Sequence, residues 1–198
     1  MGYGVFTLFG IIYPINFFLA TTTVKLAVSS GIVDIIRYTF PQHTYWIRDL
    51  DFVIGCVGVS LLMAYALVSV ASGIQAMSPQ GYDNHYGRFQ LSRAKPGLGL
   101  RMYASHYNAL ECFTMFSIAV ILGILRGMDE HLLANLSAVV ILARANYHIF
   151  HALDFAMLRS IAFDTAFMAI LSIIMEAAFP GNVVVKFMAT KDWTLPVL

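Results

Sequence analysis

From Phe52 to Tyr82 the chain carries no charged residue, and a helix of that length exceeds the roughly 20 residues that cross a hydrocarbon core about 30 Å thick. That run directs the chain to a membrane. The composition agrees: 198 residues are 59% hydrophobic and 12% charged with a mean hydropathy of +0.74, outside the range of soluble domains. The expected fold class is all-α, a polytopic membrane protein with a four-helix transmembrane bundle and one additional N-terminal helix. Beyond the first span, at about residues 52–77, further spans are predicted at about 102–125, 132–153 and 158–178.

The expected organisation has three parts: an N-terminal membrane-associated helix with an interfacial linker (1–50), the four-helix domain (51–182) and a C-terminal tail (183–198). The first apolar segment, Tyr3 to Ile36, is interrupted by Pro14 and Asn16 and crossed by Lys25 and Asp34. It reads either as one kinked or tilted helix or as a short surface helix followed by a span. It has no basic n-region and no small-residue cleavage site near residue 20, so it is expected to be retained. Phe6 breaks a myristoylation pattern. Tyr38, Tyr45 and Trp46 suit headgroup level, with Arg48, Asp49 and Asp51 facing water.

Net charge is +1, and the one short basic stretch is Arg88, Arg93, Lys95 and Arg101, which excludes nucleic acid as an expected partner. Membrane lipids are expected instead. Charge asymmetry puts this basic loop on the cytoplasmic or matrix-like side, with Asp129 and Glu130 opposite and Asp154 and Arg159 back beside Arg101. Cys56 and Cys112 read as small buried hydrophobes. Too few spans and no repeated half argue against a transporter.

The chemistry lies in two polar clusters. In "RMYASHYNALECF", residues 101–113, Ala104, Asn108 and Glu111 share a helix face while His106 points elsewhere. Glu111 needs a cation, a metal or a proton in an apolar setting. Arg144, Tyr147, His148 and His151 form a second face, and Arg159 opens the last span. Arg144 and Arg159 suit a small anionic ligand, and Glu111 suits an amine. Plainer readings stand beside this one: Glu111 and Arg144 as a structural ion pair, Asn108 joining helices, and Arg159 as an interface anchor. Carboxylates at metal-ligand spacing are too few for a metal site to be expected.

The stretch "RMYASHYNALECFTMF", followed some thirty residues on by "LARANYHIFHALDFAMLRSIAF" and preceded by "GYDNHYGR", resembles the signature of the MAPEG family, the membrane-associated proteins of eicosanoid and glutathione metabolism, in its bacterial-type branch. The likeness covers about residues 52–178 and implies a left-handed four-helix bundle, usually a homotrimer, with glutathione between subunits near the cytoplasmic face. It assigns the glutathione contacts to Asn108, Glu111, Arg144, Tyr147 and His151, with Arg101 as a further candidate. Arg159 becomes the catalytic cation beside the glutathione thiolate. The chain departs from the pattern at Ala104, where several members carry arginine, and at His151, where tyrosine is usual. Thr114 stands near a missing proline, and the N-terminal extension has no place in the four-span unit. Two functions are implied. One is a glutathione-dependent transferase or peroxidase acting on lipophilic electrophiles. The other is a non-catalytic accessory subunit of a larger membrane complex, respiratory or photosynthetic. The location implied is a bacterial inner membrane or an organellar membrane.

Overall fold

The computed structural model describes residues 13–39, 48–189 and 191. The start of the first apolar segment, the interfacial residues Tyr45 and Trp46 and the last seven residues of the tail lie outside that set. Among the described residues the elements are α1 (Tyr13–Ser29), α2 (Ile32–Thr39), α3 (Asp49–Ala76), α4 (Gly87–Ser92), α5 (Leu98–Leu125), α6 (Glu130–Ala152), α7 (Ala156–Ala178) and α8 (Val183–Ala189).

Four of these helices, α3, α5, α6 and α7, are long and apolar enough to cross a membrane. They alternate in direction, with the most extensive packing between α3 and α5 and between α6 and α7. Helix α6 is the central element, since every residue from Leu133 to Val140 is buried. Alanines with no exposed surface, Ala119, Ala134, Ala138 and Ala169, line the contacts, and small side chains of this kind let helices approach closely where lipid supplies no hydrophobic drive. Cys56 and Cys112 are free and buried, as expected.

The ends are set by local chemistry. Asp129 caps α6 by accepting from the Leu132 N–H at 2.8 Å. Helix α5 closes with the N–H of Met128 on Gly123 O (2.9 Å) and that of Gly127 on Ile124 O (3.1 Å), and Gly127 (φ 66°) takes the left-handed position this ending requires. Two ends of the bundle follow from the alternation. The basic end holds the α3–α5 connection and the α6–α7 turn; the opposite end holds Asp49 and the α5–α6 turn.

Among its described residues the N-terminal segment forms two helices, and α1 runs through Pro14 and Asn16. Helix α1 packs on α7 and α8, outside the four-helix unit, with Ala20, Val24 and Val28 turned inward. Its described 17 residues give a length of about 25 Å. Lys25 is 1% exposed, with Nζ 4.6 Å from the Phe187 ring centroid. The tail contributes α8, whose Val185, Met188 and Ala189 join the same core.

Arg37 of α2 fastens this annex at the end opposite the basic loop. It donates to Asn135 Oδ1 at 3.0 Å, meets His131 Nδ1 at 3.1 Å and pairs with Asp49. Asn135 also donates to Ala189 O at 3.3 Å, and Lys191 pairs with Asp34 at 2.5 Å. Replacing Arg37 with alanine should loosen α2 by about 1–2 kcal/mol, the scale of losing charge-assisted hydrogen bonds. Hydrogen exchange of the α2 amides reads this directly: roughly tenfold faster exchange there is expected, with the centre of α6 unchanged. Unaltered α2 protection would mean that packing alone holds the annex.

Candidate functional site

The two polar clusters meet at the basic end, where α5 and α6 lie side by side. Arg144, Tyr147, His148 and His151 are all buried, at 3, 4, 9 and 7% exposure, because their spacing of three, four and seven puts them on the inward face of α6. Arg144 Nη2 donates to the backbone O of Asn108 at 2.8 Å. Its guanidinium stacks 4.5 Å from the Tyr147 ring centroid and lies 5.7 Å from that of Phe163. Its Nε is buried without a partner.

The expected ion pair between Glu111 and Arg144 does not form within the chain. Arg144 spends its hydrogen bond on the Asn108 carbonyl, and Glu111 lies on the exposed face of α5 with Ala104. Half-buried Arg159, in the first turn of α7, likewise makes no side-chain hydrogen bond or ion pair among the described residues. Glu111, Arg144 and Arg159 nonetheless all lie near enough to Tyr147 to act on it electrostatically. The tyrosine therefore sits among two arginines and a carboxylate, of which Arg144 alone has a hydrogen-bond partner among the described residues.

His151 Nδ1 lies 3.3 Å from the Tyr147 hydroxyl, so this pair is joined within the cluster. Arg101 is brought to the same end but is already committed. Its Nη2 donates to Ala152 O at 3.0 Å and its Nη1 lies 3.7 Å from Asp154 Oδ2. Asp154 has φ 64°, and the N–H groups of Asp154 and Phe155 close α6 on His151 O and Phe150 O. This is the helix ending that glycine usually serves. A non-glycine residue there is strained by about 1 kcal/mol or more, and Arg101 reaches the same turn through Ala152 O and Asp154. The pairing also confirms that the basic loop end and Asp154 share one side of the bundle.

Sequence reasoning missed two members. Ser105 Oγ lies 2.7 Å from His148 Nδ1 in the buried core, although Ser105 stands inside the stretch that drew attention. Phe163, beside the Arg144 guanidinium, is one turn after Arg159, a spacing that signals a shared face.

A profile of the MAPEG family matches residues 52–179, well over half the chain and the stretch from α3 to the end of α7. No curated protein and no solved structure matches the chain. With four membrane-length helices in the matched stretch and Arg144, Tyr147, Glu111 and Arg159 brought together among them, this integral membrane protein belongs to the MAPEG family.

Proposed function

We propose that the chain is a glutathione-dependent transferase or peroxidase acting on lipophilic electrophiles that reach it from the bilayer, with glutathione held between copies of the chain in a homotrimer. Family membership supports a lipid-related function in the membrane. The observation that carries the finer reading is the set of unmatched charges around Tyr147: among the described residues Glu111 and Arg159 have no partner, and a buried Arg144 keeps a free Nε–H.

Glutathione fits that donor set, since it offers an amine for Glu111 and carboxylates for arginine. Bound, it supplies a thiol as nucleophile. Arg159 favours the anionic form of that thiol, because a fixed cation lowers a thiol's pKa toward neutrality. Arg144, Asn108 and Tyr147 hold the tripeptide, His151 orients the Tyr147 hydroxyl, and Arg101 fixes the turn from which Arg159 projects. The oligomer follows from cost. Glu111 lies midway along α5 on the outer face of a single chain, where a carboxylate against acyl chains is expensive; a neighbouring copy removes it from lipid.

The accessory-subunit reading, in a larger respiratory or photosynthetic complex, is favoured by Ala104, by His151 and by the annex, whose outer side carries exposed Ile15, Phe18 and Leu26. The membrane is that of a bacterial interior or an organelle in either case. Purified protein in lipid, given glutathione and a chromogenic lipophilic electrophile, decides between them. The enzyme reading expects thiolate absorbance on mixing and then product. Neither signal, from protein that keeps its oligomeric mass, leaves the accessory reading.

A further inference from the structure

A cavity of about 590 Å³ lies at the basic end between α3, α5 and the connection that carries α4, and it shares no residue with the glutathione site. Its volume falls within the range of small-molecule sites. The roof is held in place by side-chain amides. Gly81 O accepts from Gln75 Nε2 at 3.1 Å and from Gln90 Nε2 at 2.8 Å, while Gln90 Oε1 accepts from the Asp83 N–H at 2.8 Å. The Tyr103 hydroxyl donates to Arg88 O at 3.1 Å, tying α4 down onto α5. A methyl group in place of Gly87 would meet the hydroxyl end of Tyr82, so Tyr82 would have to shift.

The walls combine aromatic rings, from Tyr65, Tyr82, Tyr86 and Phe89, with the polar residues Asn84, His85 and Arg88. Tyr65 and Tyr86 are 58% and 68% exposed, so the cavity opens outward. At its inner side stands His106, the residue of the α5 motif that the glutathione site leaves unused. Its Nδ1 lies 2.8 Å from Ala64 O. A carbonyl only accepts, so Nδ1 carries the hydrogen, and in that tautomer Nε2 is a lone-pair acceptor. Nε2 has no partner among the described residues. An acceptor beside aromatic rings suits a ligand that brings an O–H donor and a flat ring.

We propose that this cavity binds a lipid-soluble phenol, its ring among the tyrosines and its hydroxyl donating to His106 Nε2. The test uses the full chain in lipid nanodiscs, with 4-hexylphenol and its methyl ether, 4-hexylanisole, as probes. Equilibrium dialysis against protein-free nanodiscs removes simple partitioning into lipid. The phenol should bind saturably and about tenfold more tightly than the ether, the effect of one hydrogen bond in an apolar site. His106→Leu should abolish the difference, whereas His106→Gln should keep it, because an amide can donate to Ala64 O and still present its oxygen. Gly87→Ala should weaken both probes by driving Tyr82 into the cavity. Equal binding of phenol and ether by the wild type, a preference that survives His106→Leu, or undiminished binding by Gly87→Ala would each overturn the proposal. Should His106→Leu fail to fold, the wild-type comparison and Gly87→Ala decide it.

Discussion

Replacing Arg159 with alanine should lower turnover of glutathione with a lipophilic electrophile about a hundredfold, the scale of removing one preorganised charge from a reacting centre. Glutathione affinity should stay within about threefold of wild type, since an interaction realised mainly with the thiolate acts on kcat more than on binding. The reason lies in where Arg159 sits. It starts α7, is half-buried, and has no partner among the described residues, so its field is not neutralised by a neighbour. Steady-state kinetics on protein of unchanged oligomeric mass checks the expectation. A fall in affinity as large as the fall in kcat/KM would place Arg159 among the groups that merely hold the tripeptide.

Arg144→Met should act in the opposite sense on stability and on binding. Arg144 is 3% exposed and, among the described residues, has one hydrogen bond, to a backbone carbonyl, and no ion pair. Desolvating a guanidinium costs several kcal/mol. A charge-assisted hydrogen bond returns about 1.5–3 kcal/mol, and stacking on Tyr147 and Phe163 adds up to about 2. The sum leaves little or no net stabilisation, and methionine fills the space with a side chain that needs no partner. Thermal unfolding in lipid should therefore show equal or higher stability for Arg144→Met. Glutathione binding should weaken more than tenfold, because a buried cation kept without structural benefit is kept for a ligand. A variant that loses stability and binding together would make Arg144 a strut between α5 and α6 instead.

The spans were legible because their signal is composition over some twenty residues, and α3, α5, α6 and α7 begin and end within about four residues of the expected limits. Harder to read were features that depend on which helix faces which. Glu111 and Arg144 have complementary charges, and sequence alone could not tell that the Asn108 carbonyl would reach the guanidinium first. The Arg37 hub joins residues from α2, α3 and α6, a convergence that no local spacing encodes. The apolar run through Pro14 looked interrupted, yet Pro14 lies within α1. His106 was recognised as pointing away from the Asn108 face, which helical geometry alone decides; what it faces required the packing of α3.

Glutathione binding by the wild-type chain in a lipid bilayer tests the central claim most directly, since the unmatched charges of Glu111, Arg144 and Arg159 are read as a site for that zwitterionic tripeptide. Calorimetric titration should show saturable binding with Kd of about 1 mM or tighter, in the range enzymes commonly match to their substrates. Glu111→Gln should weaken it about tenfold by removing the charge that receives the amine. Absence of binding at several millimolar glutathione, in lipid and with the oligomer intact, would contradict the account and leave those charges to a partner subunit.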